Sequence, residues 1–287
     1  MKKIVLIAFV ALGSIACGSD DSDLSRTGWE GPDLYGDVKK VIATEYKITH
    51  KFGEEQRSIT SISEYQFNSN GDVTVYTKHD ASGNLLNKSE HEYSEDDSYY
   101  NYTNYDYTGY TPKCEVNKLT LDKKARTLKW MVYDSHNELI KWYDGTINEN
   151  EDFKSIYEYC PSGSVVFAKK WFYDDDGVLI KHHEYDSNGD LEYKVLYSFH
   201  ENERLSKKEY ISVNSWTGET SLGGETYKYD SDDRLIEKSS KFDYFFGQKS
   251  ETIRYKYDDD DKILEARTYE GDAEKLVSVT KYEVEYR

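Results

Sequence analysis

A short pattern typical of β-hairpins recurs along most of this 287-residue chain. It consists of an aromatic residue, Asp or another polar residue, two turn formers, Gly or a polar substitute, and an apolar residue six positions after the aromatic. Its clearest copy is YDSNGDL at 185–191. Self-similarity at a short period indicates a repeat architecture. Copies start at residues 67, 79, 133, 159, 173, 185, 199, 229 and 257, and degenerate turns lie near 105, 121, 216 and 269.

The spacing of the copies predicts how the strands connect. Successive copies are 12 or 14 residues apart, or about twice that, except for one interval of 54 residues between the copies at 79 and 133. This leaves a strand of about 7 to 9 residues and a short loop, whereas a parallel crossover needs about a dozen residues by itself. Between the turns, Tyr193, Val195 and Tyr197 point one way and Glu192, Lys194 and Ser198 the other, which is the period-two mark of a strand. We therefore expect antiparallel hairpins.

The pattern also predicts the loop and the register of each hairpin. Its glycine falls where a type I turn followed by a G1 bulge requires positive φ. The aromatic residue then pairs across the strands with the apolar residue six positions later, as Tyr185 would pair with Leu191. Such pairs contribute roughly 0.2 to 1 kcal/mol each. A row of them would fix the register of the sheet.

The predicted fold is all-β: a long antiparallel meander of repeated hairpins with about 17 strands in one curled or coiled sheet. So many strands curl, split or close, and the sequence leaves open whether this sheet is open or partly closed. The chain has 28 tyrosines, a residue that suits a half-buried β surface. We expect the tyrosine-rich face on the concave side and the Lys/Glu face in water.

The N-terminal segment divides the chain into three parts. Residues 1–16 combine Lys2 and Lys3 with the run IVLIAFVAL and small residues, which indicates a secretory signal too short for a membrane span. Residues 17–33 are polar and acidic, and predict a flexible tether. Residues 34–287 form the predicted hairpin domain.

The junction at Cys17 resembles the lipobox of bacterial lipoproteins. It reads Ser14-Ile15-Ala16-Cys17, with Ser14 where leucine is usual. The resemblance implies cleavage before Cys17 and a lipid on its sulfur, so that the partner is a membrane. The acidic residues that follow resemble the signal that sends Bacteroidetes lipoproteins to the outer face of the outer membrane. We expect a surface-exposed outer-membrane lipoprotein, with the periplasmic face as the alternative.

The charge of the chain disfavours a nucleic-acid partner. The net charge is −18, and removal of Lys2 and Lys3 with the signal leaves 35 basic and 55 acidic residues, a net charge of −20. Phosphate binding needs a concentrated basic patch, and the sequence shows none.

The repeats resemble a known family. The segments RYKYDDDDKIL (254–264), YKYDSDDRLIE (227–237) and FYDDDGVLIK (172–181) are similar to the YD repeats of RHS proteins and to the related YwqK-type repeats. The opening YGDVKKVIATEY resembles the start of secreted RHS-like repeat lipoproteins of Bacteroidetes. This resemblance implies long hairpin arrays, which in RHS proteins wrap around a toxin. About 250 residues are too few to enclose another domain.

Two candidate sites are better explained as structure. His182 and His183 are neighbours on a predicted strand, so their side chains leave opposite faces and cannot share a metal ion. The run that starts at Asp186 fits an EF-hand at three positions but has Leu191 at the glycine position and Tyr197 at the last ligand position. We therefore predict no metal and no cofactor, and assign these acids to turns. Whether Cys114 and Cys160 form a disulfide is left open.

The sequence carries no catalytic motif, so no catalytic residue is assigned and an enzyme is not expected. The predicted function is a binding or scaffolding module at the cell surface with an unknown protein or glycan partner. The alternatives are a secreted glycan hydrolase and an RHS/toxin-associated or immunity-type protein. A cleft with two carboxyls about 5 to 10 Å apart beside an exposed tryptophan would favour the hydrolase. The tryptophans, either core residues or binding surfaces, are Trp29, Trp130, Trp142, Trp171 and Trp216.

Overall fold

The computed structural model describes residues 34, 37–52, 54–94, 98–150, 152–201, 204–214, 218–244, 247–271 and 274–287. The signal segment, Cys17, the tether, Trp29 and Trp216 lie outside the described residues. Among the described residues, no helix has the length and apolar character needed to cross a membrane.

Eighteen antiparallel strands in the described part of the chain form one sheet, and each strand is hydrogen-bonded to its sequence neighbours. The last strand also pairs with the first, for example Val41 with Val284, so the sheet closes into a barrel. The all-β meander is confirmed, and the open choice between an open and a closed sheet is settled as closed. The strands are β1 (Val38–Lys51), β2 (Glu54–Phe67), β3 (Val73–Asp80), β4 (Leu85–Tyr93), β5 (Tyr99–Asp106), β6 (Lys113–Asp122), β7 (Thr127–Asp134), β8 (Leu139–Ile147), β9 (Phe153–Tyr159), β10 (Val165–Tyr173), β11 (Leu179–Tyr185), β12 (Leu191–Phe199), β13 (Leu205–Asn214), β14 (Gly218–Tyr229), β15 (Leu235–Tyr244), β16 (Gly247–Tyr257), β17 (Ile263–Glu270) and β18 (Lys275–Tyr286).

The barrel has two rims. Rim A carries the turn after each even-numbered strand from β2 to β16, together with the start of β1 and the end of β18. Rim B carries the turn after each odd-numbered strand. Leu34 packs against the buried Val38 and Val41, and the backbone N–H of Arg287 donates to the carbonyl of Asp37 at 3.0 Å. Both ends of the described chain therefore meet at rim A.

The predicted cross-strand pairs are present in all nine copies of the repeat, including the weaker ones that start at 199, 229 and 257. Tyr173 pairs with Leu179 and Tyr185 with Leu191, and a bulge adjoins each of these pairs. Gly177 has a φ of +85° and Gly189 of +86° at the predicted loop position. The other seven pairs are Phe67–Val73, His79–Leu85, Tyr133–Leu139, Tyr159–Val165, Phe199–Leu205, Tyr229–Leu235 and Tyr257–Ile263.

The expectation of a single tyrosine-rich concave face is half right. The aromatic residues at rim A, such as Tyr173, belong to the inward-facing core, but Tyr185 at rim B lies on the outer face beside His183. A separation of twelve residues would keep both on one face if β11 were regular. The bulge after Leu179 adds one residue and reverses the alternation. Leu191 likewise lies on the outer face, where it pairs with Tyr185. Tyr193 and Val195, which follow it on the same strand, lie on the inner face.

Inward-facing side chains form the core. The largest cluster lies on β5 to β9 and includes Trp130, Tyr143 and Ile156. At rim A, tyrosine hydroxyls connect successive turns: Tyr173 Oη donates to the carbonyl of Phe153 at 2.6 Å, in the turn before its own. The same contact joins Tyr93 to Val73 and Tyr257 to Leu235, each at 2.9 Å. Each of these three rim-A tyrosines thus holds the preceding rim-A turn.

Candidate functional site

The two adjacent histidines face opposite sides of β11, as the sequence predicts. His182 lies inside the barrel, where its Nδ1 is hydrogen-bonded to Tyr197 Oη at 2.8 Å. His183 lies outside, with its Nδ1 3.3 Å from Tyr185 Oη. Among the described residues, no group of three or more His, Cys, Asp or Glu side chains is placed to hold a metal ion. Asp186 belongs to the turn, where it accepts the backbone N–H groups of Asn188 and Asp190.

A first group of inward-facing charges lies beside His182. Lys169 Nζ is 2.6 Å from Glu184 Oε1, and His182 Nε2 is 3.4 Å from the same oxygen. Burial opposes ionisation of Glu184, but His182 and Lys169 outweigh burial and hold its pKa at about 2. The carboxylate therefore stays charged inside the barrel, and its partners are fixed by cross-strand register.

A second group is more deeply buried. Glu225 lies between Lys208 and Lys238 on adjacent strands, and Lys238 Nζ is 3.1 Å from Glu225 Oε1. Tyr227 and Tyr210 donate to Glu225 Oε2 at 2.7 and 3.1 Å. Burial raises the pKa of Glu225, but Lys238, Lys208 and the Tyr227 hydroxyl lower it by more, so the pKa lies below its usual value. With these side chains packed together, we assign the group to structure and not to ligand binding.

An open groove of about 510 Å³ lies on the outer wall, over β6 to β9. Most of its lining side chains occupy two rows that run across the four strands, as the pairing of each row shows. Leu121, Leu128 and Gly145 also line it. The row nearer the barrel middle is Thr120, Lys129, Asp144 and Tyr157, and the row nearer rim A is Asp122, Thr127, Thr146 and Ser155.

Gly145 accounts for the close packing beneath the groove. A Cβ added at this position would lie 2.9 Å from both Leu128 Cγ and the carbonyl oxygen of Ser155. A glycine inside a strand often marks such a close approach. Any larger residue would push β8 away from its neighbours and alter the groove.

The groove offers polar groups of several kinds. Lys129 and Asp144 are directly opposite each other and exposed, yet Lys129 Nζ lies 5.3 Å from the centre of the Trp142 ring and no Lys129–Asp144 ion pair is found among the described residues. Thr146 Oγ1 and Ser155 Oγ are hydrogen-bonded at 2.8 Å. The Asp144 carboxylate makes no hydrogen bond within the described part of the chain and is available to a ligand.

Aromatic side chains border the groove. Trp142 stacks on Tyr159 with ring centres 4.0 Å apart and planes 8° apart, and Lys129 approaches the Trp142 ring as well. These neighbours occupy much of the indole surface. Tyr157 is half-buried in the groove itself, where no stacked ring partner is found within the described residues.

The other tryptophans with described positions belong to the core. Trp130 is 4% exposed, and its Nε1 donates to Asn117 Oδ1 at 3.0 Å. Trp171 packs on Phe153 with ring centres 5.2 Å apart. The core interpretation is therefore confirmed for these two.

Both cysteines of the barrel are free thiols. Cys114 is half-buried on β6, and burial raises its pKa. Cys160 lies in a rim-B turn, where the nearby Ser162 hydroxyl lowers the pKa of the thiol. The disulfide that the sequence left open is not formed.

Sequence reasoning did not find the groove. Its signal is the replacement of the usual Lys and Glu at outward positions of β6 to β9 by small hydroxyl residues, namely Thr120, Thr127, Thr146 and Ser155. These four residues are spread over 36 positions, and only the register brings them together.

No protein-family model and no curated protein matches the chain. Solved structures that match the chain include a porin-like protein from Bacteroides uniformis at 10% identity, covering 86% of this chain and 98% of that one with a TM-score of 0.42. A porin-like protein from Bacteroides vulgatus has 13% identity, coverage of 87% and 98%, and a TM-score of 0.37. A TcdB2-TccC3-Cdc42 structure has 11% identity and a TM-score of 0.33, covering 83% of this chain and 14% of that chain. At these scores the likenesses carry no argument about function.

Proposed function

We propose that this protein is an exported, lipid-anchored barrel that acts as a binding module at the outer face of the outer membrane. The observation that carries the proposal is the groove of about 510 Å³ on the outer wall. The inward-facing side chains pack against one another in three clusters. We therefore propose the outer wall as the recognition surface. Within the described residues, the groove is a part of that wall whose shape and chemistry suit a ligand.

The position of the chain ends supports the anchoring part of the proposal. Because β1 starts at rim A, a tether formed by residues 17–33 would leave the barrel there. A flexible chain of that length spans about 20 to 25 Å on average. Rim A would then be the end of the barrel that is attached to the membrane anchor.

The outer wall supports a barrel that stands in water. Glu237 on β15 accepts from Lys228 at 2.7 Å and from Arg254 at 2.9 Å, and all three side chains point outward. Charged side chains within the span of a strand destabilise a wall that faces hydrocarbon. This charge pattern suits a barrel held beside the bilayer by its tether.

The groove favours binding over hydrolysis. It contains two carboxylates, Asp122 and Asp144, near Trp142. However, Asp122 Oδ1 accepts the backbone N–H of Ala125 at 2.8 Å and so serves its turn. Lys129 and Tyr159 also occupy the Trp142 ring. We therefore propose no catalytic activity. The toxin-associated or immunity-type alternative rests on the sequence resemblance alone.

The anchor is tested by replacing Cys17. We expect the Cys17→Ala variant to leave the membrane fraction, because it lacks the sulfur that would carry the lipid. Cys160→Ala is the matched control and should stay with the membrane. Retention of the Cys17→Ala variant in washed membranes would rule out lipid anchoring.

The binding role is tested by photo-cross-linking on intact cells. A benzoylphenylalanine at position 120 in the groove should yield an adduct with cell-surface material. The same group at Thr226, an exposed outward position on β14, should not. Equal adducts from both positions, or none from position 120, would contradict a groove-specific binding function.

A further inference from the structure

We infer that the groove over β6 to β9 binds a neutral oligosaccharide. This inference rests on the proposed binding function and specifies the chemical class of the ligand. It depends on three properties of the groove: its mixture of donors and acceptors, its balance of charge, and its tyrosine.

The groove presents hydrogen-bonding groups that match a hydroxyl-rich ligand. Sugar hydroxyls both donate and accept, so their site needs carboxylate acceptors, hydroxyls and an N–H donor close together. Asp144 supplies an exposed acceptor with no hydrogen bond within the described residues, and Lys129 supplies three donors on the neighbouring strand. Adjacent strands are about 4.8 Å apart, so neighbouring groups can reach hydroxyls of a single ligand. The hydroxyl groups are those of Thr120, Thr127, Thr146 and Ser155.

The charges in the groove favour a neutral ligand over a charged one. Asp122 and Asp144 repel an anionic glycan, and the net charge of −18 on the chain adds to that repulsion. Lys129, between Thr120 and Asp144 in the row, opposes a cationic peptide at the same place. An uncharged ligand experiences neither of these repulsions.

Tyr157 provides the apolar contact that a sugar needs. It lies directly opposite Asp144 on β9 and is half-buried in the groove. Aromatic rings combine a broad apolar face with a polar edge, so Tyr157 can pack against the C–H face of a sugar ring while Asp144 accepts from its hydroxyls. The adjacent Trp142–Tyr159 stack forms a rigid border at the end of the same two strands.

The test uses the full-length protein in detergent and calorimetry with a defined panel. The neutral probes are hexasaccharides of glucose, mannose, xylose and galactose, and the charged probes are a heparin hexasaccharide and hexalysine. We expect at least one neutral probe to bind with a Kd on the order of 0.1 mM. That affinity should change less than about twofold between low and high salt, since no charge is neutralised.

Three variants connect binding to the groove. Asp144→Asn and Tyr157→Ala should each weaken the affinity about tenfold or more, equivalent to the loss of one good contact. Tyr157→Phe, which keeps the ring, should retain most of the binding. Thr226→Ala, on the outer wall away from the groove, is the control and should bind like the wild type.

The outcomes separate this inference from the proposed function. If hexalysine binds, is displaced by raised salt and loses affinity in Asp144→Asn, while no neutral probe binds, the ligand class is wrong and the binding function stands. The same conclusion follows if heparin binds, is displaced by raised salt and gains affinity in Asp144→Asn, while no neutral probe binds. If no probe binds, the neutral-glycan inference is overturned, and the cross-link at position 120 decides whether the binding function survives. If a neutral probe binds with the same affinity to the wild type, Asp144→Asn and Tyr157→Ala, the neutral-glycan inference is also overturned.

Discussion

At the scale of single residues, an Asp or Asn that directly follows the aromatic residue of a repeat closes its own loop. Asp174 Oδ1 accepts the backbone N–H groups of Asp176 at 3.0 Å and Val178 at 2.9 Å. Such side-chain acceptors replace backbone partners that a tight loop leaves unsatisfied. The hydrogen bonds of the turns therefore explain the acidic runs that resemble metal sites. The same arrangement occurs at Asn68, Asp80, Asp134, Asn148, Asp186, Asp230 and Asp258.

The fifth position of the repeat requires a positive φ, which a substitution at Gly189 tests. Asn137, Asp233 and Asp261 adopt the same conformation in other copies, with φ of +61° to +63°. The φ of Gly189 is +86°, and a Cβ added there would meet nothing within 4 Å. We expect Gly189→Ala to lower the free energy of unfolding by about 1 to 2 kcal/mol through backbone strain alone. Gly109 has no such φ and is the control, for which Gly109→Ala should change stability by less than about 0.5 kcal/mol. Equal effects in urea titrations of the two variants would contradict this explanation.

A buried histidine should make stability depend on pH. His91 Nδ1 is 2.6 Å from Tyr100 Oη and its Nε2 is 2.6 Å from Ser89 Oγ, and burial lowers the pKa of His91 from 6.5 to about 4. Between these values the unfolded chain binds the proton and the folded barrel does not. The stability contributed by neutral His91 is therefore present above pH 6.5 and is lost as pH falls towards 4, with a slope of at most about 1.4 kcal/mol per pH unit.

The measurement is the urea midpoint as a function of pH. His91→Gln should flatten the profile between pH 6.5 and 4.5, and His136→Gln should not, because the His136 side chain is 82% exposed. A slope that survives His91→Gln unchanged would assign it to other groups.

At the scale of elements, rim-A tyrosines connect one rim-A turn to the rim-A turn that precedes it along the chain. Tyr257 Oη reaches the carbonyl of Leu235, and Arg234 in the same preceding turn lies over the Tyr257 ring with its guanidinium 5.4 Å from the ring centre. Arg204 over Tyr229 and Lys262 over Tyr286 repeat the second contact at 5.7 and 5.0 Å. In these places, neighbouring rim-A turns are fixed to each other by side chains as well as by the backbone.

Removal of the Tyr257 hydroxyl tests this connection between neighbouring turns. We expect Tyr257→Phe to lower the free energy of unfolding by about 1 kcal/mol, because the carbonyl of Leu235 loses a buried partner. The control is Tyr133→Phe, since Tyr133 Oη donates no hydrogen bond within the described residues. A destabilisation by Tyr133→Phe as large as that by Tyr257→Phe would show that the ring environment, not the hydroxyl, is responsible.

The buried ion pair provides a second test at this scale. In the Glu225→Gln variant, the ammonium groups of Lys208 and Lys238 would lose the carboxylate that lies between them. Both lysines are buried, with 4% and 2% of their surface exposed. Loss of the partner of a buried charge typically costs about 3 to 5 kcal/mol. Glu209→Gln, in a pair with Lys207 whose side chain is 49% exposed, should cost less than about 1 kcal/mol. Comparable midpoints for both variants in thermal unfolding would contradict the structural role.

The strands and their pairing were predictable from sequence, but the faces were not. Tyr185 and Leu191 pair as predicted because the repeat encodes loop length and register locally. The outward direction of Tyr185 depends on the bulge after Leu179, at the other end of its strand. A period-two pattern carries across a regular strand and fails where a bulge inserts a residue.

At the scale of the whole molecule, closure of the sheet and assembly of the groove are collective properties. Closure depends on the twist and coil accumulated over all strands, which no single repeat encodes. The groove combines residues from four strands, and Thr120 and Tyr157 are neighbours of one row only through the register of three pairings. Sequence reasoning therefore reached the repeated unit and stopped before the site.

The measurement that tests the closed barrel most directly is a disulfide across the β1–β18 seam. Thr44 pairs with Lys281, and paired residues on antiparallel strands have Cα atoms close enough for a disulfide. In a Cys114→Ser and Cys160→Ser background, we expect Thr44→Cys with Lys281→Cys to oxidise within one chain, as mass spectrometry of tryptic peptides would show. Thr77→Cys with Lys88→Cys, across the β3–β4 hairpin, is the positive control. A disulfide between 77 and 88 together with free thiols at 44 and 281 would contradict a closed barrel.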